Sequence, residues 1–159
     1  MSKQRKNLRD CDQGSIFVEA LLVLPVITLL SVGVLEFGNV LWQRHQVQTG
    51  VRDAARYWAR CKADTIAYVS NCNETKARNI AFYGTPNPPS PAVLRVPGWD
   101  DASELIILPA KADLPGAPDD GDVVYVEALV TYQDSPLFNL LQIDGITLSY
   151  AHNQRYIGW

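Results

Sequence analysis

The longest apolar stretch of the chain covers residues 14–41. Its first part, residues 15–35, contains neither Lys nor Arg, and Glu19 is the only ionisable side chain there. About 20 apolar residues are enough for an α-helix to cross the hydrocarbon core of a membrane. The pattern therefore predicts a transmembrane helix over residues 15–42.

The helical pattern continues after this stretch. Between residues 43 and 60, apolar side chains recur at helical spacing, which is typical of a helix with one buried face. These side chains are Val47, Val51, Ala54, Ala55 and Trp58. We therefore predict that residues 43–60 continue the helix outside the membrane and pack under a small domain.

Two residues are expected to weaken this long helix. Pro25 removes one backbone hydrogen bond, so we expect a gentle kink, with the Thr28 hydroxyl close enough to satisfy the freed carbonyl. Gly50 costs about 1 kcal/mol relative to Ala in a helix interior.

Residues 61–159 have the pattern of a small α+β domain. Residues 75–83 are compatible with a short helix, and residues 84–91 hold four prolines, which indicates an extended connector. Alternating apolar and polar residues predict three strands, at residues 104–108, 122–132 and 146–156. We expect residues 136–145 to form a further short turn or helix. The predicted fold class is thus α+β, with a long N-terminal transmembrane helix and an antiparallel sheet of about three strands.

A basic leader precedes the apolar stretch. Its charged residues are Lys3, Arg5, Lys6, Arg9, Asp10 and Asp12. The positive-inside rule predicts that residues 1–14 stay in the cytoplasm and that the domain lies outside the inner membrane.

The carboxylate of Glu19 is unusual in such a span, because a charge deep in a membrane helix costs about 2.5–3.5 kcal/mol on insertion scales. A cut between Gly14 and Ser15 would create an α-amine one helical turn from Glu19. That amine, in the same or a neighbouring subunit, would neutralise the carboxylate. The helix dipole would also favour a negative charge near the helix start.

These residues resemble a known family. Gly14, Ser15 and Glu19 are similar to the processing site of type IV prepilins, which a prepilin peptidase cuts after the glycine on the cytoplasmic face. The longer string, with Leu24-Pro25 and residues 33–38, resembles TadE-like pseudopilins, which are minor pilins of the tight-adherence (Flp-type) pilus machinery. The resemblance covers about the first 60 residues. It implies a pilin-like lollipop that helps to assemble or prime the pilus, with other minor pilins and the major pilin as partners.

The net charge of the chain argues against one class of binding partner, nucleic acids. The chain of 159 residues carries a net charge of −3, and removal of a leader with four basic and two acidic residues leaves −5. Nucleic-acid binding requires a basic surface, so we expect no nucleic-acid partner.

The cysteines agree with an extracytoplasmic domain. Cys11 would leave with the leader, and Cys61 and Cys72 would remain as an even pair in a compartment where disulfides form. We favour a Cys61–Cys72 disulfide. Two buried free thiols are the main alternative. A metal site is a weaker one, because His45 and His152 are distant in sequence.

Catalytic chemistry has little support in the sequence. No nucleophile motif, metal-ligand cluster or phosphate-binding glycine loop is present, so we expect no enzyme activity, no cofactor, no metal and no small-molecule substrate. The acidic residues at 119–122 lack the full pattern of a calcium loop, and we interpret them as a plain acidic turn.

Other membrane-anchored classes remain open. A cleaved secretory signal fits poorly because the apolar run is too long. An uncleaved signal anchor explains the span but not Gly14 or Glu19, and it would carry an extracytoplasmic adhesin or sensor. A pilus-tip adhesin would use residues 156–159 as an exposed apolar patch.

Overall fold

The computed structural model describes residues 12–133, 138 and 145–158, with side chains from residue 14 onward. Within these residues lie helices α1 (Asp12–Trp58) and α2 (Glu74–Tyr83) and strands β1 (Leu105–Leu108), β2 (Val123–Thr131) and β3 (Thr147–Arg155). Two short 3-10 helices cover Ala102–Glu104 and Lys111–Asp113. The predicted fold class, a long apolar N-terminal helix followed by a small α+β domain, is confirmed. Most of the predicted leader and most of the predicted turn at 136–145 lie outside the described residues.

Helix α1 contributes to two compact units, one ending at Gly38 and one covering Asn39–Trp159. In the first unit every side chain from residue 14 to residue 32 is exposed, although most of them are apolar. Among the described residues, α1 is the one helix long and apolar enough to cross a membrane. Water is a poor solvent for so large an apolar surface, so this helix is compatible with a single-pass membrane anchor.

The helix runs through Pro25 without interruption. The Thr28 hydroxyl donates a hydrogen bond to the Pro25 carbonyl, with an O···O distance of 2.9 Å. The expectation that Thr28 satisfies the carbonyl freed by the proline was therefore wrong. The freed group belongs to Leu21, four residues before Pro25, whereas the Thr28 side chain reaches back only three residues.

The second unit has a continuous apolar core. Helix α1 contributes Val47, Val51, Ala54, Ala55 and Trp58, as its periodicity predicted. Strand β2 contributes Val124, Val126, Ala128 and Val130, which alternate with less buried residues. The indole N–H of Trp58 donates a hydrogen bond of 2.9 Å to the carbonyl of Pro109, so its one polar group is satisfied within the core.

The sheet is an antiparallel meander in the order β1-β2-β3. Val126 lies opposite Ile107 on one side and opposite His152 on the other. The strands begin and end within about one residue of the predicted bounds.

Gly50 lies where helix α1 closely approaches α2 and Trp99. A Cβ atom at this position would stand 2.6 Å from the carbonyl oxygen of Ala81 in α2 and 2.8 Å from the Trp99 ring. Trp99 in turn packs edge to face against Phe82, with ring centroids 5.2 Å apart. The glycine that weakens the helix by propensity therefore allows a backbone approach that a larger residue would block.

The C-terminal segment is tied to the end of α1. The backbone N–H groups of Ile157 and Gly158 donate to the carbonyl of Ala59. The Tyr156 hydroxyl lies 2.8 Å from the carbonyl of Cys61, and burial raises the pKa of this phenol. Since Tyr156 is only 2% exposed, the expectation that residues 156–159 form an exposed apolar patch was wrong for this residue. Trp159 lies outside the described residues.

Candidate functional site

The predicted processing residues Gly14, Ser15 and Glu19 all lie in the first turns of α1 and are exposed. A Cβ atom at Gly14 would have nothing within 4 Å, so no described part of the chain covers the bond between Gly14 and Ser15. Among the described residues, nothing outside the helix itself lies against Gly14.

The spacing between Ser15 and Glu19 brings them to the same side of the helix. Residues four apart are neighbours on a helix surface, and four residues correspond to a rise of about 6 Å. An amine at Ser15 would thus lie one turn from the Glu19 carboxylate. The same geometry lets either group contact an adjacent parallel helix instead.

The apolar part of α1 also contains two glycines that have no close neighbours among the described residues. A Cβ atom at Gly33 or at Gly38 would have no neighbour within 4 Å. Neither glycine is required by packing among the described residues of the chain. Close approach of another helix and simple tolerance of glycine both remain open for these two positions.

A comparison with protein families identifies the same segment. Residues 14–56 match the family model of TadE-like proteins. The N-terminal segment is TadE-like. The match begins at Gly14, so the resemblance stated from the sequence is confirmed over this segment, and it associates the chain with the membrane and with a pilus system. Neither the curated proteins nor the solved structures searched gave a match.

Beyond the TadE-like segment, Cys61 and Cys72 form a disulfide with their Cα atoms 5.6 Å apart. The enclosed loop makes a tight turn in which Thr65 and Tyr68 exchange two backbone hydrogen bonds. The Asp64 carboxylate accepts a hydrogen bond from the Ser70 N–H and pairs with Lys111 at 2.8 Å. These hydrogen bonds, led by the one from Lys111, lower the pKa of Asp64.

Basic side chains gather beside this loop. Two adjoining depressions share Tyr57, Arg60 and Cys72. We call the surface they form the basic groove, and its cations are Arg56, Arg60, Lys62 and Lys76. None of these four cations forms an ion pair with a carboxylate in the described part of the chain.

One feature of the sequence, the regular spacing of arginines on α1, indicated part of the basic groove, but the hydrophobic periodicity did not reveal it. Arg52, Arg56 and Arg60 are spaced by four residues, and like charges at this spacing destabilise a helix by about 0.2–0.5 kcal/mol per pair. Arg52 is held by Tyr150, whose hydroxyl accepts its hydrogen bond at 3.0 Å. Arg56 and Arg60 have no such partner in the described residues. Lys62 follows Arg60 by two residues, whereas Lys76 comes from α2, and the proximity of Lys76 could not be seen in the sequence.

The predicted acidic turn is present. We use this name for Asp119, Asp120 and Asp122. The Asp122 carboxylate accepts a hydrogen bond from the Asp119 N–H, and Asp120 pairs with Arg155. No group of three or more His, Cys, Asp or Glu that could hold a metal ion is found among the described residues.

The two histidines do not form a site. His45 lies on α1 and His152 lies on β3 opposite Val126. The exposed His45 and the half-buried His152 have no hydrogen bond or ion pair to each other. The sequence-based expectation that neither is catalytic stays a prediction.

Proposed function

We propose that this protein is a membrane-inserted minor pilin of a tight-adherence type IV pilus, processed by a prepilin peptidase. The observation that carries the proposal is the position of the TadE-like match, which starts at Gly14 and covers the apolar helix that contains Glu19. Its role is structural and not enzymatic. It takes part in assembly or priming of the pilus together with other minor pilins and the major pilin.

Cleavage by the peptidase would explain why the carboxylate of Glu19 is tolerated in a membrane helix. Cleavage between Gly14 and Ser15 creates an ammonium group one turn from Glu19, and this group neutralises the charge within lipid. In a pilus, the amine of one subunit and the Glu19 carboxylate of its neighbour would align the two helices. An uncharged residue at position 19 would insert into the membrane at least as well but could not provide this alignment.

The basic leader supports an orientation with the N-terminus in the cytoplasm. In that orientation the peptidase reaches the Gly14–Ser15 bond from the cytoplasmic face of the inner membrane. The disulfide-bonded domain would then lie in an oxidising compartment, where the Cys61–Cys72 bond is stable.

The decisive experiment is the mass and N-terminal sequence of the full chain expressed with and without a prepilin peptidase. We expect the peptidase to remove residues 1–14 and to leave Ser15 as the first residue. Gly14→Ala should block cleavage, whereas the matched control Gly33→Ala, in the same helix and equally free of neighbours, should be cleaved normally.

A mature protein that still begins at Met1 in the presence of an active peptidase would contradict the proposal. The chain would then be a bitopic, signal-anchored extracytoplasmic protein such as an adhesin or a sensor. Glu19→Ala separates processing from assembly, because it should be cleaved after Gly14 but should fail to enter a complex with the major pilin.

A further inference from the structure

We propose that the basic groove of one subunit binds the acidic turn of a second copy of this chain. The contact is independent of cleavage at Gly14, because both surfaces lie in the second unit, Asn39–Trp159. It is a heterologous contact, in which two different surfaces of identical subunits meet and can therefore add further copies.

The first argument is unpaired positive charge. Arg56, Arg60, Lys62 and Lys76 line one groove, and in the described part of the chain none of them has a carboxylate partner. Among the described residues that line the groove, the one acidic residue is Asp53, and it is already paired with Arg95 at 2.8 Å. Four gathered cations on a chain of negative net charge indicate an acidic partner.

The second argument is that the acidic turn has the opposite charge to this groove and an ordered backbone. Its backbone is held by its own hydrogen bonds, from the Asp119 N–H to the Asp122 carboxylate and from the Asp122 N–H to the Asp119 carbonyl. The turn is therefore ordered before it binds, which lowers the entropic cost of association. Pro118 precedes it and is exposed, and Tyr57 and Tyr68 in the groove offer aromatic faces for this proline.

The third argument is a cleft beside the acidic turn. It is lined by Leu108, Pro109 and Tyr156 together with Asp113 and Asp122. An arginine or lysine entering this cleft would lay its apolar stem on the first three residues and place its charge at the two carboxylates. The acidic surface thus fits basic side chains, as the basic groove fits acidic ones.

No hydrogen bond or ion pair joins the two surfaces within the described residues of one chain. The basic groove and the acidic turn also share no residue. The two surfaces are therefore distinct.

The test measures self-association of the full chain in detergent micelles by sedimentation and by energy transfer between labelled copies. We expect association at low salt and its loss at about 1 M salt, where the Debye length falls to about 3 Å. Arg60→Glu and Asp119→Arg should each weaken association about tenfold.

A mixture of the two variants gives the sharper result. In the mixture, the intact acidic turn of Arg60→Glu meets the intact basic groove of Asp119→Arg, and the two substituted surfaces are also of opposite charge, so the two chains should bind each other although each self-associates poorly. Recovery in the mixture also shows that both variants are folded. The matched controls Arg44→Glu and Asp100→Arg change the same charges at exposed positions outside both surfaces and should associate like the unmodified chain.

Three outcomes would overturn the proposal. The first is the absence of self-association at low salt. The second is association that persists at high salt and in both variants, which would assign it to the apolar helix. The third is an equal effect of the control substitutions, which would assign it to net charge alone.

Discussion

The two units of this molecule use the same types of side chain in opposite ways. Leu35, in the first unit, is 74% exposed, whereas Val51, four turns further along the same helix, is fully buried. The second unit covers its part of α1 with the chain itself, and the first unit leaves its part for lipid or other helices. The comparison teaches that the apolar residues of the first unit lie on its surface, whereas those of the second unit form a packed core.

The largest predicted difference in domain stability is between substitutions at two tryptophans of α1. Trp58 is fully buried and Trp42 is about half exposed. We expect Trp58→Ala to lower the free energy of unfolding of the domain by about 3–5 kcal/mol, because it leaves a large cavity. Trp42→Ala should leave the domain stability unchanged. Denaturant unfolding of the full chain in detergent, followed by the fluorescence of the remaining tryptophans, would measure both, and equal losses would contradict the burial contrast.

The disulfide should have the next largest effect. Its two cysteines are 11 residues apart. Closing a loop of this length lowers the conformational entropy of the unfolded chain, which stabilises the folded state by about 3 kcal/mol. We therefore expect the double variant Cys61→Ser/Cys72→Ser to unfold at lower denaturant concentration. The control is Cys11→Ser in the predicted leader. If the double variant were as stable as the control, the bond would not contribute to folding.

Gly50 distinguishes packing from helix propensity. Propensity alone predicts that Gly50→Ala stabilises the helix by about 1 kcal/mol. The 2.6 Å approach to the carbonyl of Ala81 predicts the reverse, a loss of about 1–3 kcal/mol through overpacking. Gly33→Ala, in the first unit, has no neighbour and serves as the control. A more stable Gly50→Ala protein would mean that α1 and α2 are less closely packed than described.

The same residue shows how far the sequence could predict the fold. Helices, strands and the buried faces of α1 and β2 follow from periodicity, because each apolar repeat has to be covered by something. The close approach at Gly50 and the burial of Tyr156 depend on which segments meet, and no local pattern contains that information. The TadE-like segment could be predicted because all of its characteristic residues lie in one continuous segment of the sequence. It does not depend on which segments meet in the fold.

The basic groove was missed on the same grounds. The row of arginines on α1 and the neighbouring Lys62 are visible in the sequence, but Lys76, in the first turn of α2, joins them only in the folded chain. The acidic turn, by contrast, is formed by consecutive residues and was predicted as such. Surfaces formed from one segment are predictable, and surfaces formed from several segments require the fold.

Substitution of Glu104 should change domain stability by less than the three substitutions above, and it should stabilise the domain where they destabilise it. Burial raises the pKa of this carboxyl above its ordinary value of 4.5, and Asp101 and Asp100 add to the rise although a backbone hydrogen bond opposes it. A raised pKa means that the folded state favours the protonated form, so the domain loses stability as the pH rises from 4.5 through the folded pKa. Glu104→Gln should therefore stabilise the domain at neutral pH, by less than about 1 kcal/mol. Unchanged unfolding midpoints on both sides of this pH window would contradict it.

The smallest effect concerns Asp64, whose pKa is lowered from 3.8 chiefly by the hydrogen bond from Lys111. A lowered pKa contributes stability that is present above the unfolded value and is lost as the pH falls through the folded value. Asp64→Asn should accordingly flatten the loss of domain stability below pH 3.8, while stability above this pH falls only slightly because the pair is exposed. Lys111→Met removes the cause from the other side and should flatten the same part of the profile. Unfolding midpoints measured across this range would test both variants, and a steep acid loss that survives in Lys111→Met would show that Lys111 is not the source of the shift.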